Sequence, residues 1–202
     1  MKRLLLTGFE GFLQFSENPT ELIVQELDGT KIGEFHVHGR VLPVEFQRSS
    51  RELSRHDEQI SPDVVLSLGL AAGRNRITPE RVAINCNDGA ADNTGDQPED
   101  ERIAEDSPDA YFSTLPIRRF VNVLKSEGFP ASISNTAGTY LCNNVMYSML
   151  HKIHTENRQT RAGFVHIPAS HGLALDQSSL PSWPQDALLK AVQILIQELG
   201  EK

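Results

Sequence analysis

Cysteine is scarce in this chain: 202 residues carry two, Cys86 and Cys142. That is too few for the disulfide framework that staples small secreted domains. Two reduced thiols fit a cytoplasmic protein. Basic residues are outnumbered, 19 Lys and Arg against 27 Asp and Glu for a net charge of -8. A nucleic-acid surface needs clustered cations against phosphate, so the balance argues against that class of partner and none is expected. Long apolar runs are missing, and no stretch approaches the ~20 residues of a membrane-crossing helix, so no membrane partner is expected. Met1-Lys2-Arg3-Leu4-Leu5-Leu6 begins like a signal peptide, but Gly8-Phe9-Glu10 cuts the apolar stretch short and a first strand is the better reading. Internal repeats and Gly/Ser linkers are absent, so one domain over residues 1–202 is expected.

What is present is ordinary globular composition, 39% hydrophobic and 23% charged, arranged as short apolar runs alternating with helical patterns. Strands are expected at Arg3 to Leu6, Glu34 to Leu42, Asp63 to Leu68, Arg81 to Cys86, Ala131 to Asn135 and Gly163 to Ile167. Several are unbroken Val/Ile/Leu runs, as in strands covered on both faces. Asn18-Pro19 supplies an N-cap and a first-turn proline for a helix through Leu27. Ile117, Phe120, Val121 and Leu124 form a second helical stripe that Gly128 stops, and Val145, Met146, Met149, Leu150 and Ile153 form a third. The last helix is expected from about Pro184 to Leu199. This alternation predicts an α/β fold, a three-layer α/β/α sandwich on a mostly parallel twisted sheet. Functional groups in such folds gather beyond the carboxyl ends of strands.

The segment from Asp88 to Asp109 has nine acidic residues and a single Arg. It reads as a solvated loop, with a lid or subunit contact as the alternative; it lacks a calcium-binding spacing. Cys142 is the residue of greatest chemical interest. It follows Ser134-Asn135-Thr136-Ala137-Gly138 and opens a helix, where the positive end of the dipole favours thiolate over thiol. His166 ends the strand Gly163-Phe164-Val165-His166-Ile167, and Glu80 precedes the strand Arg81-Val82-Ala83-Ile84-Asn85. A Cys–His–carboxylate set serves thiol acyl transfer, with the imidazole moving the proton and the carboxylate orienting it. Each residue also has a structural reading: Cys142 as a small buried hydrophobe on the Val145–Met149 face, His166 as a satisfied core histidine, Glu80 as an exposed strand-start carboxylate.

Cys86 reads as core. His36 and His38 share one strand face without a third metal ligand nearby, so no metal site is expected. His151 and His154 complement the negative end of their helix. Gly69-Leu70-Ala71-Ala72-Gly73-Arg74 lacks both the Walker lysine and the dinucleotide glycine spacing, and reads as a turn.

Taken together, the motifs Leu6-Thr7-Gly8-Phe9-Glu10, Asn18-Pro19-Thr20, Thr78-Pro79-Glu80-Arg81-Val82-Ala83-Ile84-Asn85, Gln97-Pro98-Glu99-Asp100, Ser134 to Asn143 and Gly163 to Pro168 resemble the pyroglutamyl peptidase I (pyrrolidone-carboxylate peptidase) family of cysteine peptidases. The resemblance runs through nearly the whole chain. It implies an intracellular enzyme without a cofactor or metal, usually a homotetramer, that removes an N-terminal pyroglutamyl residue from peptides through a thiol acyl-enzyme. It further implies Cys142 as nucleophile, His166 as general base and acid, and Glu80 as the residue orienting His166. Phe9, Phe12, Asn18, Leu70, Tyr140 and Leu141 match positions that bind the pyrrolidone ring. Such a flat, uncharged ring suits aromatic walls with a few polar anchors.

Three departures stand out. Leu70 replaces a glutamine common in the family; Asp88-Gly89-Ala90-Ala91-Asp92-Asn93 lacks an arginine and is one residue short; and the loop Gly11 to Glu17 has Gly11, Leu13 and Gln14 where proline and two glycines are usual. These keep two alternatives in view: a cysteine amidohydrolase acting on another small amide, and a non-catalytic binding homologue.

Overall fold

The computed structural model describes residues 1–201 apart from 13, 14, 16, 176 and 178, so the expectations drawn from Leu13 and Gln14 lie outside the described residues. In chain order the elements are β1 (Lys2–Phe9), α1 (Pro19–Leu27), β2 (Lys31–Ile32), β3 (Phe35–Leu42), α2 (Phe46–Ile60), β4 (Val64–Leu70), β5 (Thr78–Pro79), β6 (Val82–Ile84), β7 (Ala110–Phe112), α3 (Ile117–Ser126), α4 (Leu141–Thr155), β8 (Arg161–Ile167), β9 (Ala169–Ser170), α5 (His171–Ala174), β10 (Ser182–Trp183) and α6 (Gln185–Glu198). The main sheet has the order β2-β3-β1-β4-β8-β5. Its four central strands run parallel, while the short β2 and β5 close the two edges antiparallel.

Alternation along the strands divides the core. Leu4, Leu6, Val37, Leu66 and Leu68 pack with α1, α3 and α6. Leu5, Val65, Ala162 and Phe164 pack with α2 and α4 on the opposite face. Burying apolar side chains on both faces explains the unbroken hydrophobic runs. The result is the expected three-layer α/β/α arrangement on a mostly parallel sheet.

Local rules account for the helix starts. The Asn18 side chain accepts a 3.1 Å bond from the Thr20 N–H, and Pro19 takes the first helical position. Gly128, just past α3, has φ +84°, a left-handed conformation that glycine adopts without a Cβ penalty.

Two expected strands are altered. Ala131 to Asn135 is not a strand; it touches the segment carrying β5 only through bridges Ile77–Ala131 and Glu80–Ser134. Backbone bonds flank a gap, Ile77 N to Pro130 O and Ser132 N to Ile77 O, then Ser134 N to Pro79 O and Arg81 N to Ser134 O. The missing rung falls at Pro79, which has no N–H to donate. Arg81 to Cys86 shrinks to β6, which leaves the main sheet and pairs antiparallel with β7.

Candidate active site

The sheet register brings the chemistry to one edge. His166 on β8 lies opposite Gly69 of β4 and Thr78 of β5. Glu80, two residues beyond Thr78, is fixed by its N–H donating to Phe164 O at 2.9 Å. Its Oε1 then sits 2.7 Å from His166 Nδ1, with Glu80 fully buried and His166 nearly so. The exposed-carboxylate reading of Glu80 is therefore wrong: register, not solvent, decides where this side chain goes.

Arg74 joins them from the turn after β4. One guanidinium nitrogen donates to Glu80 Oε1 at 2.8 Å and to Thr78 Oγ1 at 2.6 Å. Glu80 Oε2 has no hydrogen-bond partner. Burial pushes the Glu80 carboxyl up, but contacts from His166, the nearby Ser134 hydroxyl and Arg74 outweigh it and leave the group below its ordinary value. Burial, with the Arg74 charge, lowers His166 by more than Glu80 raises it. At neutral pH the pair is thus a carboxylate and a neutral imidazole.

Cys142 is the second residue of α4 and is half-buried. A Cβ built on Gly69 would lie 2.9 Å from its Sγ, so the sulfur rests against the strand position registered with His166. Tyr140 caps α4 without a side-chain acceptor, leaving first-turn N–H groups without that partner. The expectation of a resting thiolate is not met. Burial and the Glu80 charge push the thiol up to about 12, with Arg74 and the Cys142 N–H pulling the other way.

Cys142 and His166 open onto one cavity of about 180 Å³. Its walls include Phe9, Phe12, Asn18, Leu70, Tyr140 and Leu141, the six positions matched by resemblance, together with Val44 and Ala137. Glu80 stands behind His166. Larger grooves of about 360 and 410 Å³ share Arg158 to Arg161 but contain no thiol.

The Asn18 amide is spent on structure as well as on the wall: Oδ1 accepts from Thr20 N and Thr20 Oγ1, and Nδ2 donates to Glu10 O at 3.1 Å. Leu70 is buried against Phe15 and Ala169, with Phe12, Leu173 and Leu180 alongside. The apolar substitution thus joins Phe12 and Phe15 to Ala169, Leu173 and Leu180. The acidic segment is not merely solvated. Asp92 is buried and accepts from the N–H groups of Phe46, Thr94 and Asp96. Beside it Tyr140 OH donates to Ala91 O at 3.3 Å, and Asn93 Nδ2 donates to Glu10 Oε1 and Gly11 O.

Cys86 is half-buried, not core; it lies two residues past β6, which is outside the main sheet. His36 and His38 do share a face, with ring centroids 4.6 Å apart. Among the described residues no cluster of three or more His, Cys, Asp or Glu could hold a metal.

A model of the family described as Pyroglutamyl peptidase matches residues 2–202. The chain belongs to the pyroglutamyl peptidase family. A pyrrolidone-carboxylate peptidase of Halalkalibacterium halodurans is 54% identical over 97% of this chain and 98% of its own length. One from Oceanobacillus iheyensis is 52% identical over 97% and 98%. The solved pyrrolidone carboxyl peptidase of Thermococcus litoralis superposes with a TM-score of 0.95 at 43% identity, covering 98% of this chain and 93% of that one. Membership in the pyroglutamyl peptidase family accounts for the motifs quoted above. Arg74 is a site residue that the sequence reading does not single out, because Gly69 to Arg74 reads only as a turn.

Proposed function

We propose that this pyroglutamyl peptidase works through Cys142, His166 and Glu80. The enzyme is a cysteine peptidase that hydrolyses the amide bond following an N-terminal pyroglutamyl residue of peptides. The observation that supports the assignment is the buried His166–Glu80 contact of 2.7 Å beside a cavity that Cys142 also lines.

With Glu80 ionised, His166 Nδ1 carries the proton and donates it to Oε1, so Nε2 keeps its lone pair as base. Nε2 takes the Sγ proton as sulfur attacks the exocyclic carbonyl carbon. The C=O electron pair moves to oxygen, where N–H groups of the first turn of α4 stabilise the charge. As the tetrahedral adduct collapses, the C–N bond breaks and His166 returns its proton to the departing amine. Water then gives a proton to His166 as its oxygen attacks the thioester, and as the C–S bond breaks His166 returns that proton to sulfur, releasing pyroglutamate and the thiol. Because the resting pair is neutral, proton transfer accompanies attack.

Aromatic Phe9 and Phe12 flank the ring, with Tyr140, Leu141 and Leu70 as the remaining walls and Asn18 as polar anchor. A ring amide that loses water without a partner costs about 1–3 kcal/mol per group, so polar atoms on this wall set specificity. We also propose that residues 1–202 form one domain, that the enzyme is cytoplasmic and that it is a homotetramer. Two free thiols support the cytoplasmic setting and the family resemblance supports the tetramer. Among the described residues no helix is long and apolar enough to cross a membrane.

The test is release of a chromogenic amine from a pyroglutamyl amide. Wild type turns it over, prolyl and glutamyl amides react far more slowly, and Cys142→Ala is inactive. Equal rates on all three amides, or an active Cys142→Ala, would overturn the assignment.

A further inference from the structure

We infer that Arg74 is a positioning residue of this site, supplying the permanent positive charge that keeps buried Glu80 ionised and correctly turned toward His166. The inference rests on the assignment of Cys142, His166 and Glu80 above. Glu80 is fully enclosed, and a buried carboxylate costs several kcal/mol of desolvation unless it is paired. His166 gives it a hydrogen bond but no charge while the imidazole is neutral. Arg74, at 2.8 Å, is the cation in contact with it. Both oxygens are not used: Arg74 and His166 converge on Oε1, and Oε2 is unpartnered. The second Arg74 bond, to buried Thr78 Oγ1, fixes the guanidinium on the strand beside His166.

The turn itself does not explain this arrangement. Ala72, Gly73, Asn75 and Arg76 are exposed, whereas Arg74 alone of that stretch folds inward over the strand edge. Gly89, Ala90 and Ala91 carry no charge, and among the described residues neither Lys nor Arg lines the cavity. The charged and titratable groups facing His166 are Glu80 behind it, Arg74 from the turn after β4, and Cys142 from α4. Removing Arg74 acts on each in a definite direction. Glu80 becomes harder to ionise, the Cys142 thiol harder to deprotonate, and His166, freed from a nearby positive charge, easier to protonate.

The experiment compares wild type, Arg74→Gln and Arg74→Lys on a pyroglutamyl amide across the acid and neutral range, with thermal melting and iodoacetamide inactivation alongside. Arg74→Gln is expected to lose about 10²-fold in kcat with KM within about twofold. Its acid limb of kcat/KM moves to higher pH, and its alkylation slows at fixed pH. Arg74→Lys, which keeps the charge, holds the wild-type limb and recovers part of kcat. An Arg74→Gln enzyme with the wild-type limb and rate would overturn the inference. So would Arg74→Lys with a displaced limb, which decides the matter if the glutamine variant does not fold. Cys142→Ser in the same series keeps the two claims apart: turnover by that variant sinks the nucleophile assignment, whatever the Arg74 variants do.

Discussion

Asp57 and Glu80 are both buried carboxylates held by arginine, and they are finished differently. Asp57, near the end of α2, has both oxygens paired: Arg158 grips them at 2.5 and 2.8 Å, and Lys152 of α4 stands 3.3 Å from Oδ2. Glu80 has two donors on one oxygen and none on the other. The first pattern locks α2 against α4 and the start of β8, and offers nothing to a substrate. The second leaves a carboxylate whose environment changes when His166 takes a proton. Burial and an arginine partner alone do not identify a functional carboxylate; what else shares its oxygens does.

The sharpest way to break this contrast is to neutralise each in turn. Glu80→Gln should lower kcat by about 10³-fold or more, as removal of an orienting carboxylate does elsewhere, with little change in melting temperature. Asp57→Asn should leave kcat per folded molecule unchanged and cost about 3–5 kcal/mol of stability, because Arg158 and Lys152 lose their buried partner. Thermal melting and active-site titration of both variants decide it; a large kcat loss in Asp57→Asn would erase the distinction. Next in size is Gly69→Ala. The added methyl would meet Cys142 Sγ at 2.9 Å and the Phe164 ring at 2.7 Å. Displacing the sulfur should cost about 10²-fold in kcat, while a methyl tolerated without loss would show that the thiol is not seated there.

The pH dependence sharpens the comparison further. His166 must be unprotonated to act as base, and its value lies below 6.5, so the acid limb of kcat/KM should fall below pH 6.5. The thiol, pushed up to about 12, should alkylate faster with each step in pH beyond neutrality. An alkylation rate that levels off below neutrality would reveal a resting thiolate–imidazolium pair instead. The smallest effect belongs to Asn93→Ala, which loses two bonds of 3.1 and 3.0 Å to Glu10 and Gly11. Because Phe12 follows Gly11, KM should rise about threefold with kcat unchanged, reflecting two exposed hydrogen bonds; steady-state kinetics check it.

Legibility in the sequence followed where burial was apolar. β1, β3, β4 and β8 announced themselves as Val/Ile/Leu runs, and α1, α3, α4 and α6 by stripes and caps. Helix α2 gave no such sign. Phe46, Leu53 and Ile60 recur only every seven residues, and the intervening buried positions are Ser49, His56 and Asp57. Ser49 and Asp57 sit inside because they are bonded, Ser49 Oγ to Pro43 O and Asp57 to Arg158, which no hydrophobic pattern reveals. Ala131 to Asn135 read as a strand from its own residues, and a proline in the neighbouring segment broke its ladder. Cys142, His166 and Glu80 could be nominated one by one, but their juxtaposition depends on the β4–β8–β5 register. Arg74 could not, because its meaning lies in a neighbour across a turn. The burial of the thiol is likewise non-local: helix position is read along the chain, whereas Gly69 of β4 and the cavity walls enclose the sulfur.

The most direct measurement is mass spectrometry of the enzyme quenched during turnover of a pyroglutamyl ester. The account predicts one pyroglutamyl group attached to the peptide containing Cys142, accumulating in wild type and absent from Cys142→Ala. An adduct on another residue, or steady turnover by Cys142→Ala, would contradict it.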